Sequence, residues 1–429
     1  MDEQELRFLT LDWFLYDLSE ESSETVASKE FPPGDRDEPL DGYIRHQKIQ
    51  DSQMVQIDFS GEKSKEVKSL QELAKIQQTI RDYSNNYSNK SDKTSLGKLG
   101  SSWLVWGQLM SENQSPLSLA QAICQQLKFE ETSPNWQVDL FAEGPLLGAT
   151  LYELWCPPQG QGEGESYHLL ICLFDSLWRK EALQKRVGYL LKHCQYLFLY
   201  RHKVVWAFQQ SRHLRESLQK PSRLVPQVTN QSLALLEQST VNLTELQDHL
   251  RENLKVLARY ATQINYLQEQ RYPIEINLEN YRQRVLKLAT LSAENSPKPL
   301  GEKAGECQGQ GSSLLFDKFS QFAQDKYLRQ IEGDYSSLSP GLLIVENSIK
   351  AVESLNQIEQ TRSDRRLNTT LTIASVGVAT SAVVATVVVA EPPQNRHQLE
   401  FQITTIVGSL IVGGLMSILA WKLLDWNRK

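Results

Sequence analysis

Two long runs of uncharged residues near the end of this 429-residue chain constrain its fold more than any other feature. The first run, 367–390, has 24 residues, and the second, 401–421, has 21. About 20 apolar residues in an α-helix span the ~30 Å hydrocarbon core of a bilayer. The segment 391–400 between them contains two prolines and several charges, which favour a turn over lipid-exposed helix. The pattern predicts a two-helix transmembrane hairpin with a basic tail over residues 367–429.

Basic residues flank both ends of this hairpin. Three precede the first run and three follow the second, namely Arg362, Arg365, Arg366, Lys422, Arg428 and Lys429. The turn between the runs contains one arginine, Arg396, and a largely neutral histidine. Because cytoplasmic loops carry an excess of lysine and arginine, both ends are expected on the cytoplasmic side. The sequence therefore predicts an integral, multi-pass membrane protein with cytoplasmic N- and C-termini.

The first run carries small and polar residues at helical spacing. They are separated by three or four positions and are Asn368, Thr372, Ser375, Ala379, Ala382 and Thr386. Residues at this spacing share one face of a helix. We expect this face to line a pore. A close helix–helix interface is the alternative, since small residues also allow two backbones to approach.

The N-terminal part shows the patterns of a sheet domain. Apolar residues recur at every second position over 9–15, which is the period of a half-buried strand. Ser115 followed by Pro116 is a typical helix start. The apolar run 168–174 indicates a strand that is buried on both faces. We therefore expect residues 1–175 to form a cytoplasmic α/β sheet domain.

Further elements of this domain follow from local composition. A helix is predicted over 64–83 and a strand over 136–141. Residues 17–41 carry nine acidic residues and three prolines. Such a segment is expected to be a solvated loop, and a surface that senses divalent cations is the alternative interpretation.

From residue 176 onward the pattern is helical. Apolar residues recur at heptad spacing, namely Leu236, Leu243, Leu250, Leu257 and Ile264, which indicates coiled-coil packing. Residues 295–313 contain prolines and glycines without an apolar period and predict a flexible linker. A last helix starting at Ser339-Pro340 meets no further proline before residue 392. We expect residues 176–366 to form a long helical stalk that continues into the first membrane helix.

Composition excludes several function classes. The net charge of −7 and the absence of a dense basic stripe argue against nucleic-acid binding. The five cysteines form no CxxC pair, and the histidines have no metal-site spacing. No nucleophile–base set is visible, so we expect no enzymatic activity and assign no metal ligands.

At the start of the first run, Arg366-Leu367-Asn368 is followed by Leu371-Thr372-Ile373. This stretch resembles the one by which members of the CorA family of divalent-cation channels and transporters enter the membrane. The order of parts along the chain is also similar. The resemblance implies a homo-oligomer, pentameric by family symmetry, embedded in a lipid bilayer, with a divalent cation such as magnesium as the transported or sensed ion and no other cofactor.

One departure from the family is clear. The Gly-Met-Asn signature at the outer end of the first membrane helix is missing, and the sequence there is Val387-Val388-Val389-Ala390-Glu391. Magnesium selectivity therefore does not carry over. Glu391 is expected to form the outer mouth of the pore, and the inner mouth is expected at Arg362, Arg365 and Arg366.

Three functions are compatible with these features. The first is a CorA-like, homo-oligomeric ion channel or transporter, conducting cations and gated by its cytoplasmic domain. The second is a ligand-gated, poorly selective membrane effector on the same scaffold. The third is a membrane-anchored scaffold that does not conduct ions.

Overall fold

A computed structural model describes residues 4–18, 27–30, 40–90, 97–129, 133–157, 167–236, 243–294, 310–344 and 346. These residues divide into two compact units. Unit 1 is drawn from residues up to 213 and from 270–331, and unit 2 from 214–269 and from 332 onward. The domain boundaries predicted at residues 175 and 366 stay predictions.

Unit 1 is built on a mixed sheet to which the described residues contribute nine strands. The strands are β1 (Glu5–Leu18), β2 (Ala27–Glu30), β3 (Leu40–Ile49), β4 (Ser52–Glu62), β5 (Val67–Ser69), β6 (Gly100–Gln108), β7 (Leu140–Leu146), β8 (Ala149–Cys156) and β9 (Tyr167–Phe174). Their order is β2-β3-β4-β1-β6-β9-β8-β7, with β5 also paired to β1. The β6–β9 pair is parallel, and the other pairs are antiparallel.

The described residues also form helices, numbered along the chain as α1 (Leu73–Lys90), α2 (Pro116–Gln126), α3 (Trp136–Asp139), α4 (Lys180–Leu236), α5 (Leu243–Glu269), α6 (Arg271–Glu294), α7 (Gln310–Phe322) and α8 (Arg329–Leu338). A π-helical turn, Ala323–Leu328, separates the last two. The predicted start of α2 is confirmed, because the Ser115 side chain accepts a hydrogen bond from the backbone N–H of Ser118 and Pro116 follows the cap.

Successive side chains of β1 point to opposite faces of the sheet, and helices pack on both faces. Leu9 and Leu11 lie in one core with apolar residues of α1 and α2. Phe14 and Tyr16 lie in the other core with residues of α4, α6 and α7. All eight residues of β9 are buried, which confirms the predicted central strand. A mixed α/β sheet domain with helices is therefore shown.

Two local predictions are wrong. Residues 136–139 form helix α3 rather than a strand, because the Asn135 side chain accepts the backbone N–H of Gln137 and caps a helical turn. The helix predicted over 64–83 begins only after residue 69. Residues 67–69 instead pair with the start of β1, because that strand needs a partner where β4 no longer covers it.

The prediction of a transmembrane protein is contradicted by the structure. No helix among the described residues is both long enough and apolar enough to cross a membrane. This finding contradicts the predicted α+β membrane protein with a two-helix transmembrane hairpin, its multi-pass localisation with cytoplasmic termini, and its assignment as a membrane channel. The longest described helix, α4, shows the physical reason: charged side chains recur along it, from Lys180 and Glu181 to Arg215 and Arg223.

The segments behind that prediction lie outside the described residues. They comprise both uncharged runs, 367–390 and 401–421, the turn between them and the basic tail. The linker 295–313 is described only from residue 310 onward. The stalk beyond residue 346 also lies outside the described part of the chain.

Unit 2 is helical in its described residues and has a core of its own. Its apolar contacts come from α4, α5 and α8 and involve Leu218, Val225, Tyr260, Ile264, Leu267 and Leu338. The hydroxyl of Tyr260 donates a hydrogen bond to the carbonyl of Leu338 at 2.9 Å. The guanidinium Nε of Arg215 lies 3.2 Å from the Asp334 carboxylate. One buried hydrogen bond and one ion pair thus connect these helices.

The turn between β7 and β8 depends on glycine. Leu147 and Gly148 have φ angles of 54° and 76°, as a two-residue type I′ turn requires. Leucine rarely adopts such a φ, and here two contacts hold it. Its N–H donates to the Ser292 hydroxyl and its carbonyl accepts from Arg186, both at 2.9 Å.

Replacing Gly148 with alanine should destabilise unit 1. The φ of +76° is strained for alanine, and the new Cβ would lie 2.5 Å from the ring of Trp178. We expect the free energy of unfolding to fall by roughly 1–3 kcal/mol, measured by urea denaturation. Gly188, within α4 and with open space around it, is the matched control. Gly188→Ala should raise stability by about 0.5–1 kcal/mol, and equal effects of the two changes would contradict this view of the turn.

Candidate functional site

A series of polar side chains, which we call the polar network, crosses the core between the sheet and α4. The Ser102 hydroxyl oxygen lies 2.7 Å from Nδ1 of His168 and 2.8 Å from Nε2 of His202. Nε2 of His168 lies 3.1 Å from a Glu153 carboxylate oxygen. Nε of Arg201 lies 3.9 Å from the same oxygen. The polar network joins strands β6, β8 and β9 to helix α4.

The proton positions in the polar network are assigned for an ionised Glu153 and neutral histidines. An ionised Glu153 only accepts hydrogen bonds, so His168 donates from Nε2 and its Nδ1 is an acceptor. Ser102 therefore donates its single hydroxyl hydrogen to His168. His202 must then donate from Nε2 to the Ser102 oxygen. Each hydrogen bond in this series is therefore donated toward Glu153: by His202 to Ser102, by Ser102 to His168, and by His168 to Glu153.

The Ser102, His168 and Glu153 side chains have the order of a hydrolase triad, but burial excludes that chemistry. Their exposed fractions are 0%, 2% and 1%. A nucleophilic serine must reach a substrate carbonyl, and no substrate reaches this one. The polar network is a structural element of the core.

Two aspartates form a second polar cluster on the same face of the sheet. Asp12 of β1 and Asp58 of β4 are directly opposite each other in the antiparallel register. The Gln56 side chain donates to Asp12 at 2.7 Å and to the Tyr43 hydroxyl at 3.0 Å. The indole N–H of Trp106 donates to Asp12 at 3.2 Å. Asp12 is fully buried, whereas Asp58 is half-buried.

Burial raises the pKa of both carboxyls. Desolvation raises the pKa of Asp12 to about 6, although hydrogen bonds from Gln56 and Trp106 act in the opposite direction. Desolvation, followed by the nearby charge of Asp12, raises the pKa of Asp58 well above its usual range. Because like charges oppose ionisation at close range, the pair retains a proton at mildly acidic pH.

This pair should make stability fall as pH rises from about 4 to 6. In that window the unfolded chain releases a proton that the folded pair retains, so the free energy of unfolding decreases with pH. Asp12→Asn should remove a pH-dependent cost on the order of 3 kcal/mol at pH 7. Urea denaturation at several pH values measures the difference between the two proteins.

The control for this experiment is Glu181→Gln, which removes one exposed carboxylate of α4. The same urea denaturation series on this variant shows the effect of removing an exposed carboxylate. A difference between Asp12→Asn and native protein that is constant from pH 4 to 7 would contradict proton sharing in the pair.

A third cluster lies on the outer side of α4 and α6. The guanidinium carbon of Arg284 in α6 lies 3.8 Å from the ring centroid of Tyr196 in α4. Leu147 contacts Arg186 of α4 and Ser292 of α6 at the other end of the pair. The two helices therefore run antiparallel in this region.

Positive charges converge on His193 in this cluster. Its side chain is only 6% exposed. Burial lowers its pKa most, followed by the charges of Arg284, Lys192 and Lys287. Its Nδ1 atom is buried and has no hydrogen-bond partner among the described residues. His193 is therefore neutral near pH 7 and lies in a positive electrostatic field.

We call this surface the basic face. It consists of Lys185, Tyr189, Lys192, Tyr196, Arg284 and Lys287, which surround or extend from His193. Lys192 and Lys287 are exposed, and Arg284 is half-buried. Arg284 is held by the Tyr196 ring and by a hydrogen bond with the Tyr200 hydroxyl.

The cations of the basic face lack acidic partners in the described part of the chain. The ion pairs of the described residues involve other cations, such as Lys180 with Glu66 and Arg215 with Asp334. An exposed cation without a carboxylate partner retains its charge for a ligand. The arrangement can therefore bind a group that carries several negative charges.

No group of three or more His, Cys, Asp or Glu side chains is arranged to hold a metal ion within the described residues. The sequence-predicted site residues lie outside those residues. They are the stripe Asn368, Thr372, Ser375, Ala379, Ala382 and Thr386, the outer mouth Glu391, and the inner mouth Arg362, Arg365 and Arg366. Their assignment to a pore has no support from the described structure.

Part of the basic face could have been found in the sequence. Lys185, Tyr189, Lys192 and Tyr196 follow the spacing of four, three and four residues that places them on one side of a helix. That α6 adds Arg284 and Lys287 to the same surface is a tertiary fact. No local pattern indicates it.

Comparisons with known proteins give no relative for this chain. No protein-family model matches it, and neither the curated proteins nor the solved structures contain a match. The resemblance to the CorA family therefore stays a prediction from a short stretch of sequence.

Proposed function

We propose that this chain is a binding protein whose basic face docks an acidic segment of a protein partner. The observation that carries the proposal is the set of basic residues from two helices that have no acidic partner in the described structure and that converge on the buried His193. Tyrosine and arginine, of which this surface has Tyr189, Tyr196 and Arg284, are enriched at protein interfaces.

The size of the basic face favours a short acidic segment. It offers four cations, whereas extended nucleic acid requires a longer basic track. The net charge of −7 for the whole chain repels a long polyanion but acts weakly at the short range of one docked segment. Tyr189 and Tyr196 add apolar area and hydroxyl groups beside the charges.

The geometry also supports preorganisation. The guanidinium of Arg284 is fixed by the Tyr196 ring and the Tyr200 hydroxyl before any ligand arrives. A bound carboxylate then immobilises fewer side chains, and binding costs less conformational entropy. The lysines at its sides stay exposed and can adapt to the spacing of the ligand charges.

Two other functions have less support. Ion conduction, the function expected first, requires membrane-spanning segments, and the described helices supply none. Catalysis by Ser102 and His168 requires an accessible hydroxyl, and that hydroxyl is buried. A binding role uses only groups that solvent and ligands can reach.

The proposal predicts salt-sensitive binding of a glutamate-rich peptide to the full chain. Lys192→Gln combined with Lys287→Gln should weaken binding about tenfold, since two ion pairs of about 0.7 kcal/mol each are lost. Fluorescence anisotropy of a labelled peptide at low and high salt measures this. Screening at high salt should weaken the native complex more than the variant complex.

The matched control is Lys75→Gln combined with Lys128→Gln. Both lysines are exposed on unit 1 and lie outside the basic face, so the control removes the same net charge. It should leave peptide affinity nearly unchanged. Equal losses in the two double variants, or no binding by the native protein, would refute docking at the basic face.

A further inference from the structure

An open cleft lies in unit 2. It has a volume of about 480 Å³, within the range of roughly 300–1,000 Å³ typical of ligand pockets. Residues of α4, α5 and the region of α8 line it, including Arg215, Ser222, Arg223, Tyr260 and Gly341.

The side chains that α4 contributes share one face of the helix. Arg215, Gln219, Ser222, Arg223 and Pro226 all line the cleft and are spaced by four, three, one and three residues. Such spacing aligns them along one side of a helix. The cleft is therefore bordered by a continuous polar strip that contains two guanidinium groups.

The two arginines have different environments. Arg215 lies 3.2 Å from Asp334, so a carboxylate of the same unit balances its charge. Arg223 is exposed and forms no ion pair with a described carboxylate. The cleft therefore carries a net positive charge that comes from Arg223, with Arg215 held in place beside it.

The cleft also offers hydrogen-bond acceptors. Pro226 has no N–H, so the carbonyl of Ser222, four residues earlier, lacks its helical partner. The Ser222 hydroxyl donates to the carbonyl of Gln219 at 2.9 Å, which leaves its oxygen lone pairs as acceptors. A ligand with hydroxyl groups can donate to these oxygens.

A second side of the cleft is formed around the buried Tyr260. Tyr260 is buried and donates its hydroxyl hydrogen to the Leu338 carbonyl at 2.9 Å. Gly341 permits this packing, because a Cβ there would lie 2.5 Å from the Tyr260 hydroxyl oxygen. This hydrogen bond and close contact shape the side of the cleft that Tyr260, Leu338 and Gly341 form.

From these features we infer that unit 2 binds a small sugar phosphate in this cleft. The phosphate would pair with Arg223 and Arg215, since guanidinium groups match phosphate oxygens in geometry and charge. The sugar hydroxyls would donate to the oxygens near Ser222 and Gln219. The site is separate from the basic face and does not depend on the peptide-binding function.

Isothermal titration of the full chain with ribose 5-phosphate, inorganic phosphate and ribose tests the inference. We expect ribose 5-phosphate to bind more tightly than phosphate, and ribose not to bind. Arg223→Gln should weaken ribose 5-phosphate about tenfold, the loss of one charge-assisted contact. Arg223 is exposed, so this change should leave the fold intact, which circular dichroism verifies.

Lys220→Gln is the matched control, because Lys220 is exposed on the same helix and does not line the cleft. Its affinity for ribose 5-phosphate should equal that of the native chain. No binding at millimolar concentration, or equal weakening by the two variants, would overturn the inference. Tight binding of phosphate with no gain from the sugar would overturn the assigned ligand class.

Discussion

The burial of Glu153 and Arg201 in one core is the constraint on which the rest of unit 1 depends. A buried charge without a partner is strongly destabilising, so both groups must meet once α4 packs on the sheet. The guanidinium carbon of Arg201 also lies 4.6 Å from the ring centroid of Trp155 and 5.1 Å from that of Phe319. A shift of α4 by one residue would break all of these contacts.

This constraint sets which side of α4 faces outward. Cys194, Leu197, Phe198 and Arg201 face the sheet and are buried. Helical geometry then places Lys185, Lys192 and Tyr196 toward the side where α6 brings Arg284 and Lys287. The polar network in the core therefore orients the basic face, although it contributes no atom to that surface. Gly100 serves the same packing, because a side chain there would collide with the His202 ring.

The sequence indicated those parts of the fold that depend on local periodicity. The strand predicted over 9–15, the apolar run of β9 and the cap at Ser115 are each set by neighbours in the chain, and each is present. The half-burial predicted for the first strand is wrong, because helices pack on both faces of β1. Helix α3 was missed because its start depends on one hydrogen bond that the backbone N–H of Gln137 donates to the Asn135 side chain. The strand β5 was missed because its partner, the start of β1, lies about 60 residues earlier in sequence.

The candidate sites were harder to predict than the fold for a related reason. Charge runs and small-residue stripes are visible in sequence, and those that predicted a pore lie beyond residue 346. The basic face and the cleft instead combine residues from separate helices, such as Tyr196 with Arg284 and Ser222 with Gly341. Neither set is adjacent in sequence, so only the packing brings its members together.

The net charge of the chain affects which anions can bind at the basic face and in the cleft. An acidic chain repels anions at long range, but screening limits that repulsion to roughly 10 Å at moderate salt. Inside that distance the local cations dominate, and they are arranged differently in the two places. Arg223 adds one unbalanced charge to a walled cleft, which selects by shape, whereas the basic face spreads several charges over an open surface, which selects by charge spacing. The same overall charge thus disfavours nonspecific polyanions and leaves each site to its own class of ligand.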